Sequence, residues 1–188
     1  MMLSDDGIKK AVKKRELEII PYYDYALLPS AYVMHLGKNF LRPARGKTID
    51  AVHGPTEKYY KPFSITDAKP LRLKPGEFVL GETMEKIRLS NKLGLMIEGV
   101  SALGRLGVTA VMTAMLVDSG HGWFKPRAIT LEIKNQGPNT IILRPGMKFC
   151  RCVFFRLETP ATFYSDAKSK YAFQEGVGAP KPLNEFGV

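Results

Sequence analysis

The octapeptide AITLEIKN, Ala128 to Asn135, decides the fold class. Ile129, Leu131 and Ile133 alternate with Thr130, Glu132 and Lys134, the period-two pattern of a half-buried strand. On a strand, the three aliphatics share one face against a core and Glu132 turns to the other. Taken alone, a mid-strand carboxylate beside a lysine reads as a solvated pair. On a strand that faces a cavity, the same carboxylate suits proton transfer, because partial burial raises its pKa toward neutrality.

Similar short runs recur on both sides: AYVMHLG (31–37), EFVLGETMEKIRL (77–89), LGLMIEG (93–99), GVTAVMTAMLVD (107–118), NTIILRPG (139–146) and KFCRCVFFRLE (148–158). Prolines at 21, 29, 43, 55, 62, 70 and 75 come too often for helices. Leu73 to Gly76 and Leu143 to Gly146 share the pattern L-[KR]-P-G, with Pro then Gly at the centre of a type II turn. Ser4, followed by Asp5 and Asp6, is a helix N-cap with acids in the first turn. Ile8, Ala11 and Val12 give that helix its apolar stripe, and Lys9, Lys10, Lys13, Lys14 and Arg15 make it basic. The spacing predicts one long helix, from about Ser4 to Arg15, within an N-terminal region of residues 1–20. The rest predicts a mostly β single domain over residues 1–188, a sandwich or closed barrel that hides its sheet edges. Residues 41–70 read as an irregular basic excursion, and residues 160–188 as a Gly-, Pro- and Lys-rich arm.

The chain carries a net charge of +10, with 45% hydrophobic and 24% charged residues. That composition argues against disorder, and no apolar run reaches the ~18 residues of a membrane span. The N-terminus lacks an apolar signal core, so a cytoplasmic location is expected, with no membrane partner. The basic balance favours anionic partners. The charges are spread along the chain and not interleaved with aromatics, which favours a small anionic ligand over nucleic acid. Cys150 and Cys152 read as free buried thiols. His35, His53 and His121 fall in separate segments without zinc-ligand spacing, so no metal site and no zinc are expected. The decapeptide EGVSALGRLG, Glu98 to Gly107, has too many glycines for a good helix and too few β-branched residues for a strand. It suits a place where backbone N–H groups and one cation stand close together. Asp118, before Ser119 and Gly120, reads on its own as a turn aspartate.

The segments 73–120, 129–149 and 163–176, with the opening MLSDDGIKKAVKKRELEI and PSAYVMHLG, together resemble the dCTP deaminase branch of the dUTPase superfamily. The likeness runs in order through most of the chain and is weakest over 41–70. It implies a distorted jelly-roll, or β-clip, barrel that forms a homotrimer with sites at subunit interfaces and a C-terminal arm closing over the nucleotide. It implies hydrolytic deamination of dCTP to dUTP and ammonia without zinc. Continuation to dUMP and pyrophosphate stays open. By the same resemblance Glu132 is the catalytic glutamate, Ser101 holds the attacking water or the pyrimidine, and Arg105 supports the active-site charges or the triphosphate. The carbonyl of Ala114 orients the water, Asp118 meets the deoxyribose hydroxyl, and Thr130 contacts the base. Tyr164, Lys170 and Gln174 meet the nucleotide from the arm, and magnesium comes bound through the phosphates. The chain departs from the family where G-R-S-S-L becomes GVSAL, with Val100 for an arginine and Ala102 for a serine. Val33 stands where the family has an aspartate. The link from Asp118 to Glu132 is longer than usual and contains Lys125 and Arg127, which offer cations in place of the lost arginine. On the same scaffold, the alternatives are a nucleotide-binding or regulatory protein with little turnover, and a dUTPase.

Overall fold

The computed structural model describes residues 1–54, 56–162, 171 and 173–183. Helix α1 (Asp5–Lys13) begins where the sequence predicts: Gly7 N donates to Ser4 Oγ at 3.3 Å, Asp5 and Asp6 fill the first turn, and Lys10 and Lys13 lie in the last. Ile8 and Ala11 are its buried stripe. The strands in chain order are β1 (Leu17–Ile20), β2 (Leu27–Leu28), β3 (Ala31–His35), β4 (Asn39–Pro43), β5 (Tyr60–Ser64), β6 (Leu71–Leu73), β7 (Phe78–Leu89) and β8 (Leu93–Gly99). After a one-turn helix, α2 (Ser101–Arg105), come β9 (Val108–Thr109), β10 (Leu116–Val117), β11 (Arg127–Asn135), β12 (Ile141–Leu143) and β13 (Lys148–Arg156).

One sheet has the order β5-β4-β7-β11-β9, with β1 also on β7; the other runs β10-β8-β13-β3-β2, and β12 pairs with β6. Neither large sheet closes on itself among the described residues, so the expected barrel is two open sheets sharing one core. Ile129, Leu131 and Ile133 enter that core from the first sheet, and Met34, Leu95, Ile97, Cys152 and Phe154 from the second. Cys150 and Cys152 are free and fully buried, and burial pushes both thiols well above their ordinary pKa. Both L-[KR]-P-G turns form, linking β6 to β7 and β12 to β13, with φ of 72° at Gly76 and 75° at Gly146. Glycine meets that left-handed requirement without a Cβ penalty.

Three expectations change. The region 41–70 is not wholly irregular: β4 and β5 pair antiparallel from Asn39↔Ser64 to Pro43↔Tyr60 and join the larger sheet. The run 107–118 is not one strand, since only Val108–Thr109 and Leu116–Val117 pair. The glycine-rich stretch after Gly99 does hold a helical turn, α2, anchored by buried Leu103.

The register of β11 on β7 places the functional face. Glu132 lies opposite Leu80 and Thr130 opposite Glu82, but Ala128 lies opposite Lys86, so β7 bulges between them. Thr83 Oγ1 fixes the bulge by accepting from Ile129 N at 2.9 Å and donating to Glu85 O at 2.7 Å. Glu85, fully buried, accepts from His35 N at 2.8 Å and pairs with His35 Nδ1, tying the bulge to β3 of the other sheet.

Candidate active site

A cavity of about 340 Å³ opens on the polar face of β11. Arg127, Thr130 and Glu132 form its floor, Ala114, Asp118 and His121 one wall, and Tyr171, Gln174, Gly178 and Pro180 of the arm its cover. Period two puts Thr130 and Glu132 there, as their strand neighbours Ile129, Leu131 and Ile133 go into the core.

Glu132 also organises the loop beside it. Its Oε2 accepts from Met112 N at 2.9 Å and Thr113 N at 3.1 Å, while Glu132 N donates to Ala110 O at 3.1 Å. These bonds draw the apolar run out of strand geometry and bring Ala114 to the cavity. Both hydrogen bonds to the carboxylate fall on Oε2, which leaves Oε1 to meet a ligand or water.

The arm is held over the cavity by the segment after Asp118. Arg127 Nη1 donates to Tyr171 O at 2.8 Å and Gln174 O at 3.3 Å. Gln174 Nε2 donates to Thr130 Oγ1 at 2.8 Å, and Gly178 N reaches the same oxygen at 3.3 Å. Phe124 stacks on Phe173 with centroids 5.7 Å apart, and Lys125 Nζ lies 3.3 Å from Glu175 Oε1. Beyond them Thr56 Oγ1 donates to Pro180 O and Leu183 N to Ala51 O, so the 44–59 loop also grips the arm.

The structure thus gathers Glu132, Ala114, Asp118, Thr130 and Gln174 at one cavity. Ser101 and Arg105 are exposed on α2 and do not line it. Tyr164 and Lys170 lie outside the described residues. His121, set aside in the sequence for want of metal-ligand partners, lines the cavity with Nε2 sealed and unpartnered. Desolvation, reinforced by the charge of Arg127, lowers its pKa to about 4. Its only sequence signal is a place between two glycines just after Asp118. Arg151 was also missed. It extends from β13 to donate Nη2 to Gly99 O at 3.2 Å, beside the stretch that becomes α2, and its Nε is buried without a partner.

The fold is shared with 2′-deoxycytidine 5′-triphosphate deaminase from Agrobacterium tumefaciens, at a TM-score of 0.64 and 18% identity. That superposition covers 84% of this chain and 49% of the other, about half its length. It defines the architectural class, a mostly β fold of the dCTP deaminase type. A family model described as dCTP deaminase-like matches residues 2–157. A "dCTP deaminase, dUMP-forming" from Dictyoglomus turgidum is 38% identical over 194 residues, spanning 100% of this chain and 98% of its own. The protein of the same name from Dictyoglomus thermophilum is 37% identical, covering 99% and 97%. A "dCTP deaminase" from Natronomonas pharaonis is 33% identical, covering 100% and 98%. The chain belongs to the dCTP deaminase family.

Proposed function

We propose that the protein deaminates dCTP hydrolytically and carries the product on to dUMP and pyrophosphate. One observation carries the first step: Glu132 stands in a covered cavity with one oxygen locked to the backbone and the other open. Oε1 takes a proton from water as the hydroxide adds to C4 of the cytosine ring, and passes that proton to N3. The carboxylate then moves the new hydroxyl proton to the amino group. The C4–N bond breaks, ammonia leaves, and a C4 carbonyl remains. A base held by two backbone N–H groups is already oriented for both transfers. Thr130 and Gln174 border the base, and Asp118 stands where a deoxyribose hydroxyl would be read.

The second step is supported by the names of the two Dictyoglomus relatives, both dUMP-forming. In it, water displaces pyrophosphate at the α-phosphorus, and Asp118 is the cavity carboxylate placed to activate that water. Among the described residues no three His, Cys, Asp or Glu side chains could hold a metal between them. In this reading magnesium enters as part of the substrate, on the triphosphate. The reading includes a homotrimer, in which Ser101 and Arg105 on α2 of one subunit meet the cavity of the next.

The test incubates the protein with magnesium and dCTP, CTP or dUTP and separates the products by chromatography. Release of ammonia, pyrophosphate and dUMP from dCTP is expected. Glu132→Gln should lower ammonia release by at least ~10²-fold and leave nucleotide binding nearly intact. Wild-type turnover in that variant would remove Glu132 from the chemistry.

A further inference from the structure

Arg151 stands where two departures from the family pattern meet. In β13 it lies opposite Val33 of β3 on one side and Glu98 of β8 on the other. Val33 replaces an aspartate, and Val100, which follows Gly99, replaces an arginine. Val100 packs against the core, so position 100 has no charge to offer. Period two sends Cys150 and Cys152 into that core and Arg151 to the outer face of the sheet, where it is half-buried. Glu98 is exposed and forms no ion pair with it. Arg151 Nη2 instead donates to Gly99 O at 3.2 Å, which draws the guanidinium to the end of β8, next to α2.

A guanidinium carries five N–H donors in a planar fork. Here Nε is sealed inside the protein and meets no ligand. Nη1 is not sealed, and among the described residues nothing accepts from it. Space is free beside the anchor, since a Cβ added to Gly99 would meet no atom within 4 Å. Arg105 is exposed on α2, which begins two residues after Gly99. An open guanidinium edge suits the paired oxygens of an anion, to which it gives two parallel bonds. The cavity, for its part, is short of positive charge. Among the described residues its lining has two carboxylates, Glu132 and Asp118, and one cation, Arg127, whose Nη1 is committed to the arm. A triphosphate, even with magnesium on it, brings further negative charge, so cations from outside that lining must meet it.

We propose that Arg151 is a triphosphate-binding residue, whose Nη1 edge meets the phosphate oxygens of a nucleotide seated against α2 and so supplies the cation that position 100 lacks. The inference rests on the deaminase reading, in which α2 of one subunit meets the cavity of the next. The charge has moved from the loop after β8 to the neighbouring strand β13, and the bond to Gly99 O holds it at the same end of the sheet. A strand fixes a side chain more firmly than a loop does, so the fork is already oriented before the nucleotide arrives. The two valines follow from the same exchange. With the cation on β13, position 100 is free to pack on the core, and Val33 leaves no carboxylate on β3 to compete with phosphate for Arg151.

The experiment uses the full-length Glu132→Gln protein, which should hold dCTP without consuming it. Its ligands are magnesium-dCTP and deoxycytidine, which has the same base and sugar and no phosphate. Dissociation constants are measured with Arg151 present and with Arg151→Gln, which keeps a donor for Gly99 O and removes the charge. Calorimetry serves for dCTP, and ligand-detected NMR, which reaches millimolar constants, for deoxycytidine. Binding of dCTP should weaken at least ~10-fold, and that of deoxycytidine should not change. Equal weakening of both, or no change in either, overturns the phosphate role and leaves the deaminase reading standing. Light scattering on the same samples tests the rival anion, a carboxylate of a neighbouring subunit. A lower mass for Arg151→Gln than for its parent would assign Arg151 to assembly and overturn the proposal. Failure of the parent protein to bind dCTP overturns the deaminase reading and the inference with it. Should Arg151→Gln not fold, Arg151→Lys carries the same comparison. Its ammonium cannot give two parallel bonds, so dCTP again weakens and deoxycytidine does not.

Discussion

At Glu132 a single carboxylate shapes a loop and leaves an oxygen for chemistry, and its position follows from period two. Ile129, Leu131 and Ile133 alternate with it in sequence, and they are buried while Thr130, Glu132 and Lys134 are not. His121 was not legible in the same way, because its burial depends on what lies around it in space. Its unpartnered Nε2 and buried ring give it an effect on stability. The unfolded chain takes up its proton near pH 6.5, while the folded chain resists until about pH 4. The sign follows: this contribution is fully present above pH 6.5 and is lost as pH falls toward 4, by at most ~3 kcal/mol. Urea unfolding at fixed protein concentration, from pH 7.5 to 4.5, should show a steeper acid loss in the wild-type protein than in His121→Phe. Parallel curves would mean that the ring titrates normally in the folded state.

Between elements, the contacts of the arm differ in strength. Lys125 and Glu175 are 70% and 77% exposed, and such surface pairs contribute about 0–1 kcal/mol. Arg127 reaches two carbonyls of the arm from a less exposed position, and hydrogen bonds to charged groups are worth ~1.5–3 kcal/mol each. Arg127→Ala should therefore free the arm, and Lys125→Ala should not. Hydrogen exchange at Gln174 and Gly178 should speed up at least tenfold in the first variant and stay unchanged in the second. Equal rates would place the hold elsewhere, at Thr130 or Phe124. The strands, both Pro-Gly turns and helix α1 follow from local pattern and turn chemistry. The 107–118 run misleads because its alternation of apolar and small residues is that of a strand. Glu132, twenty residues away, takes Met112 N and Thr113 N from any ladder, and tertiary contact overrides propensity. The same competition explains α2, where burial of Leu103 secures one helical turn despite Gly104.

For the whole molecule, the 106–116 segment leaves several large apolar side chains exposed, which suits the trimer proposed above. Leu106, Met112, Met115 and Leu116 are 52%, 40%, 45% and 57% exposed, near α2 and the cavity wall. Light scattering should give three times the 21.0 kDa chain mass, and Leu116→Lys should lower that mass together with ammonia release. A monomer with full activity would rule the trimer out. The pairing of the chain's opening residues with the last strand has a further consequence. Met2 bridges Phe155 and Leu3 N donates to Phe154 O, whereas α1, which follows, packs on nearby β1. A ribosome makes the early segment long before its partner strand. The residues ahead of the helix must then wait, unpaired, until β13 emerges. Closing so large a loop is entropically costly, so the domain cannot mature piecemeal during translation, and chaperone dependence should rise whenever elongation stalls shortly before residue 150.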